Sequence, residues 1–267
     1  MNGVNYEPLL RDMTWSFSRL KTYDQCPAQW YYRYLMQEED EEQFYASYGS
    51  FVHELIARFY TGELSSDELL PEFLQGFSTR VAGERPSAEI ERKYLDQGAK
   101  YFETFEAFPL TTLAVEKEIE TEIEGLKFTG FIDYLGRNED GGLVIVDHKS
   151  ADLKPRSKKG KQTQSDRKLD DVLRQLYLYA NWVHGEFGEW PAELWLNCFR
   201  TGTIIRETFD EAKYTEAVEW VQKEVKKLMK EDLFLPTDDF YYCRWICGQH
   251  GNCDLYEEEY GGRRRRR

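Results

Sequence analysis

The 267-residue sequence has no run near the roughly 18 consecutive apolar residues that a membrane-spanning helix needs. Nor does it open on the basic-then-apolar pattern of a secretory signal. Both absences point to a cytoplasmic protein with no membrane partner. Cysteine is sparse, five residues in all, and in that compartment the five read as metal ligands or core fillers rather than disulfides. Positive charge is in deficit, 35 Lys and Arg against 49 Asp and Glu, for a formal charge of -14. That argues against a protein that coats nucleic acid nonspecifically. It leaves open an enzyme that grips nucleic acid locally, because local clusters decide contact. No internal repeat is visible. What is present, 41% hydrophobic and 15% aromatic residues, is enough for one large domain with a substantial core or two small ones.

The chemistry gathers at the stretch Gly141 to Lys149. A Gly-Gly turn leads into Leu143-Val144-Ile145-Val146, a short buried strand, which runs straight into Asp147-His148-Lys149. Alternation along a strand puts Asp147 and Lys149 on one face and His148 on the other. A carboxylate at the end of a buried strand needs partners or a metal. Fourteen positions upstream, a second strand from Leu126 to Tyr134 carries Asp133. Two linked strands delivering two carboxylates and an amine describe either a divalent-cation site or a salt bridge at a strand end.

Around these strands the periodicity predicts helices first. Ser16 to Met36 reads as two short aromatic helices meeting at Cys26-Pro27, and Glu38 to Glu42 as a solvated acidic loop. Ala46 to Tyr60 is a helix with Gly49 and His53 on one face, and two more cover 65–78, with Pro71 near its first turn, and 87–107. A strand from Thr112 to Ile123 follows, carrying Glu116 as a minor candidate for the same site. Polar, basic Ser150 to Lys168 reads as a loop, then Asp170 to Glu186 as a helix. A hairpin (193–199 and 203–209) and an amphipathic helix (211–230) lead to a cysteine-bearing end. The fold class this order implies is α/β, one domain with a mixed central sheet flanked by helices.

Taken in chain order, Gly49-x-x-x-His53, Asp133, Asp147-x-Lys149 and Gln175-Leu176-x-x-Tyr179 resemble the motifs of the PD-(D/E)XK nuclease superfamily, in its RecB-like branch. Ile132 stands where proline gives the superfamily its name. The resemblance implies a restriction-endonuclease-like core and a metal-dependent DNA exonuclease acting on single-stranded ends. By it, Asp133, Asp147, His53 and the His148 carbonyl hold Mg2+ or Mn2+. Lys149 orients the attacking water or stabilises charge, while Gln175 and Tyr179 position the lysine or the DNA. For His53 the bland reading, a packed core histidine, stays open.

Cys26 with Cys243, Cys247 and Cys253 could hold zinc or a four-iron four-sulfur cluster, and spacing alone does not choose. One cysteine before the nuclease core and three after it is similar to the layout of iron–sulfur RecB-like nucleases such as the AddB nuclease domain and the CRISPR-associated Cas-four exonuclease. That likeness implies a 4Fe-4S cluster, although the first interval here is one residue longer than usual. Cys198 reads as core. Lys154, Arg156, Lys158, Lys159 and Lys161 are candidates for phosphate-backbone contact, against the alternative of a solvated loop. The expected division is a helical section (1–110), a nuclease core (111–232), a cluster-binding segment (233–260) and a tail (261–267), with Arg263–Arg267 given no weight. Partners implied are single-stranded DNA and recombination or CRISPR-adaptation proteins. The competing class is a non-catalytic module that binds DNA ends within a larger complex.

Overall fold

The computed structural model describes residues 6–157 and 162–258. Short helix α1 (Glu7–Arg11) precedes α2 (Phe17–Gln25), which Ser16 caps by accepting the Arg19 N–H. Pro27 opens the single turn α3 (Pro27–Trp30), and a π-helical turn, Tyr31–Leu35, follows. Three helices then stack on one another, α4 (Phe44–Tyr60), α5 (Ser66–Arg80) and α6 (Ala88–Glu103), around Tyr48, Phe51, Phe73 and Phe102. Pro71 lies inside α5, not in its first turn as the sequence suggests. Ser65 and Glu68 close a capping box that starts the helix five residues before the proline.

Strands β1 (Thr111–Ile123), β2 (Leu126–Arg137) and β3 (Leu143–Lys149) form an antiparallel meander. Helix α7 (Gln164–Phe187) crosses over to β4 (Glu193–Cys198), which pairs parallel with β3. Strand β5 (Thr203–Thr208) closes a five-stranded mixed sheet in sequence order, β1-β2-β3-β4-β5. Leu143 to Val146 are fully buried because both faces of β3 are covered. Leu143 and Ile145 belong to the core built with α2, α7 and α8 (Glu211–Leu228), whereas Val144 and Val146 pack with Phe108, Tyr134 and Trp195.

Two expectations are corrected. Helix α7 starts at Gln164, well inside the polar stretch expected to be loop, because Thr163 and Asp166 form a capping box there. The acidic segment Glu38 to Glu42 is not simply solvated. The Glu41 N–H donates to the Gly248 carbonyl (2.7 Å), and the Gln249 amide donates to the Glu38 carbonyl (3.0 Å) and Asp40 Oδ1 (2.8 Å). The segment is thereby stitched to the C-terminal cysteine region, which consists of α9 (Phe240–Trp245), a 3-10 turn His250–Asn252, and α10 (Asp254–Tyr256). Among the described residues, no helix is long and apolar enough to cross a membrane.

Candidate active site

Strands β2 and β3 deliver Asp133 and Asp147 to neighbouring positions, both buried. Asp133 Oδ2 accepts the His148 backbone N–H at 2.7 Å, which fixes that carboxylate against the edge of β3. Asp147 Oδ2 meets the Lys149 ammonium at 2.7 Å, and no other donor reaches it among the described residues. Burial pushes the Asp147 carboxyl up to about 7; Lys149 pulls it down and Asp133 pushes it further up. A buried carboxylate short of donors, with a second one beside it, is an electrostatic debt that a cation would settle.

Lys149 is oriented by a relay along α7. Its Nζ donates to Gln175 Oε1 (3.0 Å), and Gln175 Nε2 donates to the Tyr179 hydroxyl (3.0 Å). Gln175 and Tyr179 are four residues apart on one helix face, so they meet without backbone distortion. Tyr179 is buried over Gly130 of β2, where a Cβ would stand 2.4 Å from the tyrosine ring. Only glycine lets the ring lie so close to the strand.

Helix α4 contributes His53 from the other side. Its Nε2 lies 2.8 Å from the His148 carbonyl, which can only accept, so Nε2 carries the proton and Nδ1 presents its lone pair. That lone pair faces Asp133 Oδ2 at 3.5 Å. Burial lowers the His53 pKa, against the pull of Asp133. Two electron-pair donors confronting each other across 3.5 Å, with the far nitrogen anchored on a carbonyl, is the arrangement of a metal-ligating histidine. The His148 carbonyl, expected as a ligand, accepts this hydrogen bond and so orients His53. The His148 ring lies edge-on to the His53 ring with centroids 5.3 Å apart; burial lowers its pKa to about 3, and its Nδ1 accepts from the Asn197 amide at 3.1 Å.

Glu116 completes the group. Among the described residues, one set of three metal-competent side chains, His53, Glu116 and Asp133, brings its ligand atoms within 4.8 Å of one another. Glu116 adopts a left-handed backbone (φ 47°) in the middle of β1, uncommon for a residue with a side chain. Although exposed at the rim of the site, its carboxyl is pushed up to about 7, first by burial against the sheet and then by Asp133 and Asp147. Sequence reasoning undervalued this residue. Alternation along the strand does not single it out, because the local twist that aims it is not an alternating one. His53, Glu116 and Lys149 open onto a cleft of about 890 Å3 beside α4.

The four cysteines Cys26, Cys243, Cys247 and Cys253 line one small cavity far along the chain from these groups. Burial, with the neighbouring thiols adding to it, pushes Cys243 up to about 11; burial pushes Cys247 up to about 12, with the other three thiols adding. Such thiols stay protonated unless a cation holds them as thiolates. Backbone N–H groups nonetheless aim at the sulfurs: Gln29 at Cys26 (3.4 Å), Gln249 at Cys247, and Leu255 and Tyr256 at Cys253. Cys198 is a buried core thiol on β4.

The basic loop is divided. Lys154 is exposed. Arg156 turns inward, donating to Asp170 Oδ1 at 2.7 Å and to both Glu207 oxygens at 3.0 to 3.2 Å, so its charge is spent on α7 and β5. Lys158, Lys159 and Lys161 lie outside the described residues, as does the 261–267 tail.

The sequence pattern of the PD-(D/E)XK nuclease superfamily matches residues 14–254. Among solved structures, a candidate exonuclease from Eubacterium rectale is 14% identical, with 96% of this chain and 97% of that one covered at a TM-score of 0.52. The structure titled SSO0001 is 17% identical, covering 91% and 86%, but at a TM-score of 0.35 it carries no weight. No curated protein matches the sequence. The family match spans nearly all of the chain: it belongs to the PD-(D/E)XK nuclease superfamily.

Proposed function

We propose that this superfamily member is a divalent-metal-dependent deoxyribonuclease, an exonuclease that hydrolyses single-stranded DNA from its ends. The observation that carries the reading is the confrontation of the His53 Nδ1 lone pair with Asp133 Oδ2, beside Glu116 and an ammonium held by Asp147 and Gln175. Carboxylate oxygens and an imidazole suit Mg2+ or Mn2+. Asp133, His53, Glu116 and Asp147 are the residues that would hold the metal. When bound, it lowers the pKa of a water and neutralises charge on the phosphate.

The chain's own groups do the rest. Lys149, its Nζ fixed between Asp147 and Gln175, presents N–H donors to the attacking water and the phosphoryl oxygens. The water oxygen bonds to phosphorus and gives up a proton to solvent, the bond from phosphorus to the leaving sugar oxygen breaks, and that oxygen takes up a proton from solvent. Gln175 and Tyr179 keep the ammonium from swinging back onto Asp147 alone. The decisive measurement is hydrolysis of an end-labelled single strand with Mg2+ or Mn2+, compared with a circular strand. Loss of linear strands with circles left intact supports the reading; no hydrolysis of either refutes it.

For the cysteine cavity we infer a 4Fe-4S cluster, the group that the cysteine layout implies, rather than one zinc ion; Cys26, Cys243, Cys247 and Cys253 line it together. The N–H donors aimed at the sulfurs are the contacts that stabilise an electron-rich cluster. Iron and sulfide analysis of anaerobically purified protein tests this; one zinc and no iron would reject it.

A further inference from the structure

The cleft that holds His53, Glu116 and Lys149 continues along α4 past Ser50, Gly49 and Ala46 to Tyr45. Tyr45, Gly49 and His53 recur every four residues and share one helix face, so Tyr45 lies about 12 Å from His53 at 1.5 Å per residue. Gly49 leaves the floor between them bare: a Cβ there would meet nothing within 4 Å. At its far end Tyr45 meets a residue of the cysteine segment. The Tyr241 hydroxyl of α9 donates to the Tyr45 hydroxyl at 2.7 Å, and the two rings lie 6.3 Å apart at 33°. Tyr241 is 52% exposed.

This pair is braced from behind. Tyr94 packs on Tyr45 with ring centroids 5.3 Å apart, and the Arg200 guanidinium lies 3.8 Å over the Tyr94 ring. Arg200 also donates to the Ser150 carbonyl at 2.9 Å, the residue after Lys149. The rings are therefore tied to the strand that carries the chemistry. Of the acidic residues that line the cleft, Glu54 pairs with Arg80, Glu63 pairs with Arg58 at 3.6 Å, and Glu116 belongs to the candidate metal site. Between Tyr45 and His53 a phosphate backbone meets the small residues Ala46, Gly49 and Ser50.

Resting on the nuclease reading above, we propose that Tyr45 and Tyr241 form a base-stacking platform for single-stranded DNA, two helical turns from the catalytic groups, with the cysteine segment supplying one of the two rings. Aromatic faces accept any base, because every base has a π-face, so the platform holds a strand without reading its sequence. Tyr241 is a binding residue, not a catalytic one, and through it the cysteine segment reaches the substrate.

The test is fluorescence anisotropy of a labelled oligothymidylate and of an abasic strand of equal length, with Ca2+ in place of the active metal. Leucine keeps bulk and apolar character while removing the ring. Tyr45→Leu and Tyr241→Leu should each weaken oligothymidylate binding by roughly 5- to 150-fold, the range measured for one stacked base. Both should leave the abasic strand unaffected. Tyr241→Phe, which keeps the ring and loses the hydroxyl, should bind oligothymidylate within about twofold of wild type. Leucine variants that bind oligothymidylate like wild type would overturn the platform, as would equal losses on both strands. Failure of the underlying reading looks different: wild-type protein would bind the strand and hydrolyse nothing with Mg2+ or Mn2+.

Discussion

Lys149 ends a strand paired on one side with β2 and on the other with β4, and its amine is held by a relay from a 24-residue helix. Cys243 sits instead on a six-residue helix, Cys247 in the loop that follows it, and Cys253 at the cap between a 3-10 turn and a three-residue helix. Their local apolar core is little more than Cys243, Tyr256 and Cys253. What fixes this segment is polar: Tyr242 donates to Gln29, Arg244 pairs with Glu84, and Gln249 holds Glu38 and Asp40. Hydrogen bonds of this kind contribute about 1 kcal/mol each, far less than a buried core. The nuclease site therefore inherits its shape from the sheet, whereas the cysteine segment is held mainly by these polar contacts.

The largest expected break falls on the nuclease site alone. Asp133→Ala or Asp147→Ala should abolish hydrolysis, and Lys149→Ala should slow it by roughly 10²–10⁴-fold with DNA affinity nearly kept. Circular dichroism and any colour of the cysteine site should stay as in wild type. A Lys149→Ala enzyme with near wild-type turnover would remove the lysine from the mechanism.

Next in size is the converse change. Cys243→Ser or Cys253→Ser should bleach the protein and lower its melting midpoint by roughly 10 °C, a loss of several kcal/mol in a chain of this length. Amides of β2, β3 and β4 should keep their hydrogen-exchange protection while those of 240–256 lose it. Uniform loss over both regions would show that they unfold as one unit.

A smaller effect separates positioning from chemistry. Gly130→Ala puts a methyl group 2.4 Å from the Tyr179 ring, so the ring must turn and release Gln175. Turnover should fall about tenfold or more with strand affinity unchanged, as befits a misplacement near the reacting groups. The smallest effect belongs to the basic loop. Arg156→Ala should alter DNA affinity and its salt dependence scarcely at all, since that guanidinium is engaged by Asp170 and Glu207. Lys154→Ala should reduce the salt slope by about 0.7 if Lys154 touches one phosphate. A full unit-sized change in the Arg156 variant would mean that its ion pairs open on binding.

Most of the fold was legible because its strands announce themselves. The apolar runs at 143–146 and before Asp133 made β3 and β2 visible, and His53, Asp133, Asp147, Lys149, Gln175 and Tyr179 stand on the helices and strands expected for them. The start of α7 was hidden because Thr163 to Lys168 is charged enough to look like loop, and only the Thr163–Asp166 box shows otherwise. Glu116 was hidden by its backbone, since a left-handed φ inside a strand leaves no trace in hydrophobic pattern. The inward ion pairs of Arg156 were hidden because its partners, Asp170 and Glu207, are 14 and 51 residues away. Ion pairs at that range belong to the tertiary fold.

The sheet runs β1 to β5 in the order in which the ribosome makes it. Each strand therefore finds its neighbour among residues just synthesised, with no long wait. The cysteine site obeys a different clock: Cys26 emerges early, yet its partners lie beyond residue 240. At about 5–20 residues per second, that interval is on the order of 10 to 45 seconds. Throughout it a nuclease core can be folded while Tyr241, on the last helix but one, has yet to arrive. The nascent chain would then hold its catalytic groups before it holds the tyrosine that pairs with Tyr45.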